Sequence, residues 1–184
     1  MNIKYVMGEF FEKMLMGYKK TSQGLPMAPK VEVNNNQIFV GEVDEEGWSK
    51  WKPIMKSEEE EFSEIEKILS TDINKDLKEY FNSYWFIQLE GKFKKRDIEL
   101  QPVIPGAELN EFTKKLKGYI EAHNGNSEYV PIGSEDDTGF LILLENNSGK
   151  IVKENHETGS IKVIAENMCE LISNLKPTII DYEF

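Results

Sequence analysis

The chain has 184 residues and sets 33 acidic against 22 basic side chains, a formal charge of -11. That balance argues against nucleic acid as a partner, whose phosphates would be repelled, and favours a basic protein surface. The lone Cys169 fits a reducing compartment. Residues 1–20 mix Lys4, Glu9, Glu12 and Lys13 with apolar side chains and so lack the core of a secretory signal, and no stretch approaches the ~20 apolar residues of a membrane span. The expectation is a cytoplasmic protein forming one domain over residues 1–184, long enough to bury about 70% of its unfolded surface.

Residues 5–18 place Phe10, Phe11, Met14, Leu15 and Tyr18 at helical spacing, which predicts an opening helix stopped by Gly24-Leu25-Pro26 and Pro29. Residues 37–43 and 48–54 read as two strands joined by the acidic turn Asp44-Glu45-Glu46-Gly47, with Pro53 setting an edge or a strand end. Ser57 and Glu60 have the spacing of a capping box, which predicts a helix starting there with Phe62, Ile65, Ile68 and Leu69 as its stripe. After a break at residues 70–72, Ile73, Leu77, Phe81 and Tyr84 resume the helical period. Residues 85–89 then change to a strand, with 97–104 as its hairpin partner, closed by Pro105-Gly106. Leu109, Phe112, Leu116, Tyr119 and Ile120 predict a helix over 108–123, ended by Asn124-Gly125.

The last third is the most strongly patterned. The apolar run Phe140-Leu141-Ile142-Leu143-Leu144 fits a central strand covered on both faces, and Asn146 to Lys150 supplies a hairpin turn into Ile151-Val152. From Ser160 as N-cap, Ile161, Ile164, Ala165, Met168, Leu171, Ile172 and Leu175 recur with helical period up to Pro177, predicting one long amphipathic helix. Interleaved helices and hairpins give an α+β fold with a mixed, largely antiparallel sheet flanked by helices.

Several segments, in this order, resemble the Syd family, named for SecY-interacting protein, within the SUKH superfamily. They are the aromatic first helix with Gly24-Leu25-Pro26; Trp51-Lys52-Pro53; Asp72-Ile73 through Tyr80-Phe81-Asn82-Ser83-Tyr84-Trp85; and Asp97-Ile98-Glu99-Leu100. Asn147-Ser148-Gly149-Lys150-Ile151-Val152-Lys153-Glu154 and Ala165-Glu166-Asn167 to Leu175-Lys176-Pro177 complete the set. The superfamily's recurrent Gly ahead of acidic residues is similar to Gly133 with Glu135, Asp136 and Asp137. The stretch 47–57 departs by carrying Lys50, Lys52 and Lys56. The resemblance implies a compact α+β domain with neither catalytic activity nor cofactor. Syd-like members bind basic cytosolic loops of the SecY channel through an acidic concave surface, and many other superfamily members are immunity proteins that neutralise a toxin.

Glu58, Glu59, Glu60 and Glu61 form the densest charge run; the macrodipole of the helix expected to start there stabilises such carboxylates. The functional reading is that they join Asp44, Glu45, Glu46, Glu64 and Glu66 in one negative field that steers a basic partner. Glu135, Asp136 and Asp137 are further partner-contact candidates; their spacing is out of register with a calcium loop. Trp48 and Trp51 are the candidate exposed aromatic contacts. Lys92, Lys94, Lys95 and Arg96 form a basic cluster at a hairpin tip. His123 and His156 stand in no motif with a nucleophile, so no catalytic residue, cofactor or metal is expected. The leading expectation is a non-catalytic immunity protein that covers a basic cognate toxin. The alternative is a factor that docks peripherally on SecY at the inner face of the membrane, and the minor alternative is a carboxylate-based hydrolase, for which no pair is singled out.

Overall fold

The computed structural model describes residues 2–31 and 38–181. Helix α1 (Ile3–Tyr18) starts at Asn2, whose side chain accepts from the Tyr5 amide, 2.9 Å. Its stripe of Ile3, Val6, Met7, Phe10, Phe11, Met14 and Tyr18 is buried. Strands β1 (Met27–Pro29), β2 (Phe39–Val40) and β3 (Trp48–Trp51) form a small antiparallel sheet in the order β1-β3-β2. The predicted strand 37–43 is thus shorter, and Gln37 lies outside the described residues. The predicted strand 48–54 is divided at Lys52-Pro53: β4 (Ile54–Met55) leaves that sheet and pairs with β5 (Tyr84–Trp85).

No helix starts at Ser57. Glu60, needed to close the capping box, pairs instead with buried Lys56, while its own amide donates to Asn82 Oδ1, 2.8 Å. Helix α2 (Ser63–Leu69) has Phe62 as its N-cap, five residues after Ser57. Helix α3 (Lys75–Phe81) follows, its N-cap Asn74 accepting from the Asp76 amide.

The long sheet is built from β6 (Leu89–Phe93), β7 (Arg96–Leu100), β8 (Tyr129–Glu135), β9 (Leu141–Glu145), β10 (Ile151–Asn155), β11 (Ser160–Ala165) and β12 (Lys176–Pro177). Their order is β11-β10-β9-β8-β7-β6-β12, every pair antiparallel. Helix α4 (Asn110–Ala122) joins β7 to β8, and α5 (Met168–Asn174) joins β11 to β12. The α+β expectation, with a largely antiparallel sheet, holds.

The run in β9 has the two-sided burial that its composition demands. Ile142 and Leu144 enter the main core with α1, α3 and α5, whereas Leu143 faces the other way and packs with Tyr119 of α4 and Val152. All three are fully buried, which stabilises the fold by about 1.5–3 kcal/mol each before ordering entropy is subtracted.

The predicted long helix from Ser160 is corrected. The chain turns at residues 155–159, where Asn155 Oδ1 accepts from the Glu157 amide and Gly159 takes φ +66°. It then pairs as β11 along β10, and β-branched Ile161, Val163 and Ile164 suit that pairing better than a helix. Because β11 is an edge strand, Ile161 is 43% exposed and is not a core residue. The helix begins only at Asn167, which caps the Glu170 amide, 2.8 Å.

Candidate binding groove

Opposed residues of an antiparallel sheet project from the same face. Glu90 stands opposite Glu99, Glu99 opposite Ser134, Ser134 opposite Leu141, and Leu141 opposite Glu154. This row runs across the face on which α4 sits, and α4 covers only part of it. Between α4 and strands β7 to β9 lies a groove of about 590 Å³, lined among others by Glu99, Leu100, Pro102, Tyr119, His123, Pro131 and Leu141.

Two devices shape the groove. Strand β8 is irregular between Pro131 and Gly133, and Gly133 passes so close to the Glu99 carbonyl and Leu100 that a Cβ would collide with them. At the α4 end, His123 stacks on Tyr119 with ring centroids 3.9 Å apart. Its Nδ1 faces the Tyr119 carbonyl and its Nε2 faces Glu154 Oε1, each at 2.8 Å. The Tyr119 carbonyl can only accept, so Nδ1 donates to it, and Nε2 donates to Glu154 when the ring is protonated. Burial pulls the His123 pKa down, but the bonds to Tyr119 and Glu154 outweigh it and leave the value above ordinary. Burial and the Glu154 charge hold the Tyr119 hydroxyl protonated.

Carboxylates gather at the opposite side. The Asp136 amide donates to the Asp97 carbonyl, 3.0 Å, which carries Asp136 to the Glu90–Glu99 pair. Burial and the charges of Asp136, Glu99 and Asp97 push the Glu90 pKa up; burial and Asp136 do the same to Glu99, against an opposing pull from Lys115. Asp136 is raised by burial, Asp97 and Asp137. Lys92 pairs with Asp97 at 3.2 Å, while among the described residues no ion pair engages Glu90, Glu99, Asp136 or Asp137. Glu90 and Glu99 face each other directly across β6 and β7, and like charges so opposed oppose folding.

The residues singled out in the sequence are dispersed. Asp44, Glu45 and Glu46 are exposed in the β2–β3 turn, and the Asp44 carboxylate accepts from the Glu46 and Trp48 amides, 3.0 and 2.7 Å. Glu58, Glu59 and Glu61 are exposed ahead of α2 and away from the groove lining. Since no helix starts before them, a helix dipole does not account for this run; Glu64 and Glu66 occupy the first turn of α2 instead. Trp48 is half-buried, and Trp51 is fully buried, which corrects its reading as an exposed contact.

Glu135 is also corrected: it is buried and accepts from Thr138 Oγ1 and Lys153 Nζ, with Arg96 Nε 3.4 Å away. Burial raises its pKa, but those bonds and charges win and leave it below ordinary. Of the predicted set, Asp136 stands near Glu90 and Glu99, with Asp137 next to it, and neither lines the groove. Glu90 and Glu99 were not singled out by sequence, and Tyr119 and His123 were read only as a stripe residue and as a histidine without a motif, although the alternation in 89–93 and 96–100 places Glu90 and Glu99 on the face away from Leu89, Ile98 and Leu100. Among the described residues no three His, Cys, Asp or Glu side chains are placed to hold a metal ion, and no helix is long and apolar enough to cross a membrane.

Comparison with known proteins matches residues 5–177 to the family described as Syd protein (SUKH-2). Protein Syd of Aliivibrio fischeri strain MJ11 is 25% identical over 132 residues, 70% of this chain and 72% of that protein. Protein Syd of Aliivibrio salmonicida strain LFI1238 is 21% identical over 191 residues, covering 97% of this chain and 98% of the relative. Protein Syd of Psychromonas ingrahamii strain DSM 17664 is 21% identical over 175 residues, covering 94% and 95%.

Proposed function

The chain belongs to the Syd family, and from that premise we propose that it is a non-catalytic, cytoplasmic binding module that docks peripherally on basic cytosolic loops of the SecY translocation channel. The observation that carries the reading is the cluster of Glu90, Glu99 and Asp136 on one face of the sheet, with Glu99 lining the groove beside it, where an incoming cation would relieve their mutual repulsion. The family relation supports SecY over a toxin as the partner, reversing the order in which composition and resemblance alone ranked them. A basic toxin domain would fit the same groove electrostatically, and that immunity role is the second reading.

Glu58, Glu59, Glu61, Asp44, Glu45 and Glu46 act in this proposal as a distant field that accelerates encounter, with contact left to the groove. The deciding experiment is flotation with vesicles that contain or lack SecY, at low salt. Recruitment is expected only with SecY and is abolished when Glu90→Gln, Glu99→Gln and Asp136→Asn are combined. Equal recruitment to both vesicles would defeat the SecY reading, and protection of cells from a basic toxin would replace it with the immunity reading.

A further inference from the structure

The groove is not uniformly polar. Glu99 lines it on the β7 side, with Glu90 beyond on β6; Lys115 and His123 of the α4 side also reach it, and the wall toward α4, β8 and β9 is built from Pro102, Tyr119, Ala122, Pro131 and Leu141. Attraction to a lysine-rich loop requires no such wall. An apolar pocket beside a charged rim is instead the arrangement in which one bulky side chain is desolvated and its neighbours are paired at the edge. The volume of about 590 Å³ suits one such side chain with its flanking backbone. Along the same residue row, beyond Glu154, Ile161 of edge strand β11 is 43% exposed.

We propose that the occupant is a basic segment anchored by one large apolar or aromatic residue, which enters the wall between α4 and β8–β9 while flanking lysines or arginines meet Glu99, Glu90 and Asp136. This inference rests on the groove being the binding face and adds what the partner must carry besides charge. The two halves divide the kinetics. The rim governs the association rate and its salt dependence, and the apolar wall governs dissociation.

The test uses two short peptides of Lys, Gly and Ser, one with a central Trp and one with Ser in its place, measured against the whole protein by surface plasmon resonance. The Trp peptide is expected to bind at least about tenfold more tightly, chiefly through slower dissociation. Ala122→Trp, a substitution at an exposed position of the wall, should erase that preference while leaving weak, salt-sensitive binding of both peptides. Glu99→Gln should slow association of both and preserve their ratio. Equal binding of the two peptides, with loss in Glu99→Gln, would overturn the anchor and leave the acidic-groove reading standing; binding of neither would overturn both. If Ala122→Trp lowers the melting temperature, the peptide pair on the unsubstituted protein decides alone.

Discussion

Glu135 and Asp136 are neighbours in the chain and are separated by the sheet. Glu135 stands opposite Ile98 on the face of the main core and is enclosed by Thr138, Lys153 and Arg96, with its pKa depressed. Asp136, one residue on, meets Asp97 and Asp137, and its pKa is raised. The same chemical group therefore stabilises the fold on one side and opposes it on the other. An acidic run read from a sequence does not say which of these it does; the strand pairing decides.

The largest effect expected from this contrast is on stability. Glu135→Ala removes the counter-charge of Lys153, whose side chain is 15% exposed, and should destabilise the protein by about 1–3 kcal/mol in urea denaturation. Asp136→Asn should stay within about 0.5 kcal/mol of the parent and weaken partner binding instead. Equal losses in the two variants would break the contrast.

A smaller effect sharpens it through pH. Glu135, with its lowered pKa, contributes stability that is present above the ordinary glutamate value of about 4.3 and is lost as pH falls through its folded value. Glu90, Glu99 and Asp136 have raised values, so their unfavourable contribution is present above those values and disappears as pH falls to the ordinary ones. Glu99→Gln should therefore be more stable than the parent near about pH 7, by at most about 0.5 kcal/mol after solvent screening, and lose that advantage on acidification. Denaturation midpoints across the acid range would check this, and an advantage that grew toward low pH would contradict it.

The smallest effect is expected from the charge run that the sequence makes most conspicuous. Reversing Glu58, Glu59 and Glu61 should slow association at low salt, leave dissociation and melting temperature unchanged, and fade at physiological salt, where the screening length is about 8 Å. Stopped-flow association at two salt concentrations would measure it.

The contrast also explains what was legible in the sequence. α1, α4 and two-sided β9 were readable because their periodicity and burial agree, whereas the strand predicted over 85–89 is divided, Trp85 pairing in β5 with β4 and only Leu89 entering β6. The misreadings share a cause, which is a tertiary partner overriding a local signal. Buried Lys56 takes Glu60 from its capping box, and β10 takes residues 160–165 from a helical pattern they also satisfy. The groove was harder still, because Glu90, Glu99 and Asp136 lie in separate segments and become one feature only through the registers of β6, β7 and β8.

Helix α1 lies against α5, α3 and β12. Gln23, beyond its end, donates through Nε2 to the Ile180 carbonyl, 2.8 Å, and Ser22 Oγ to Asp181, 3.0 Å. The earliest described helix is thus covered by the latest described elements. During synthesis Phe11 can meet Tyr84 and Phe86 early, but the face of α1 that lies against α5 and β12 stays uncovered until residues 168–177 have left the ribosome, so a chain truncated after residue 167 should collapse without closing its core.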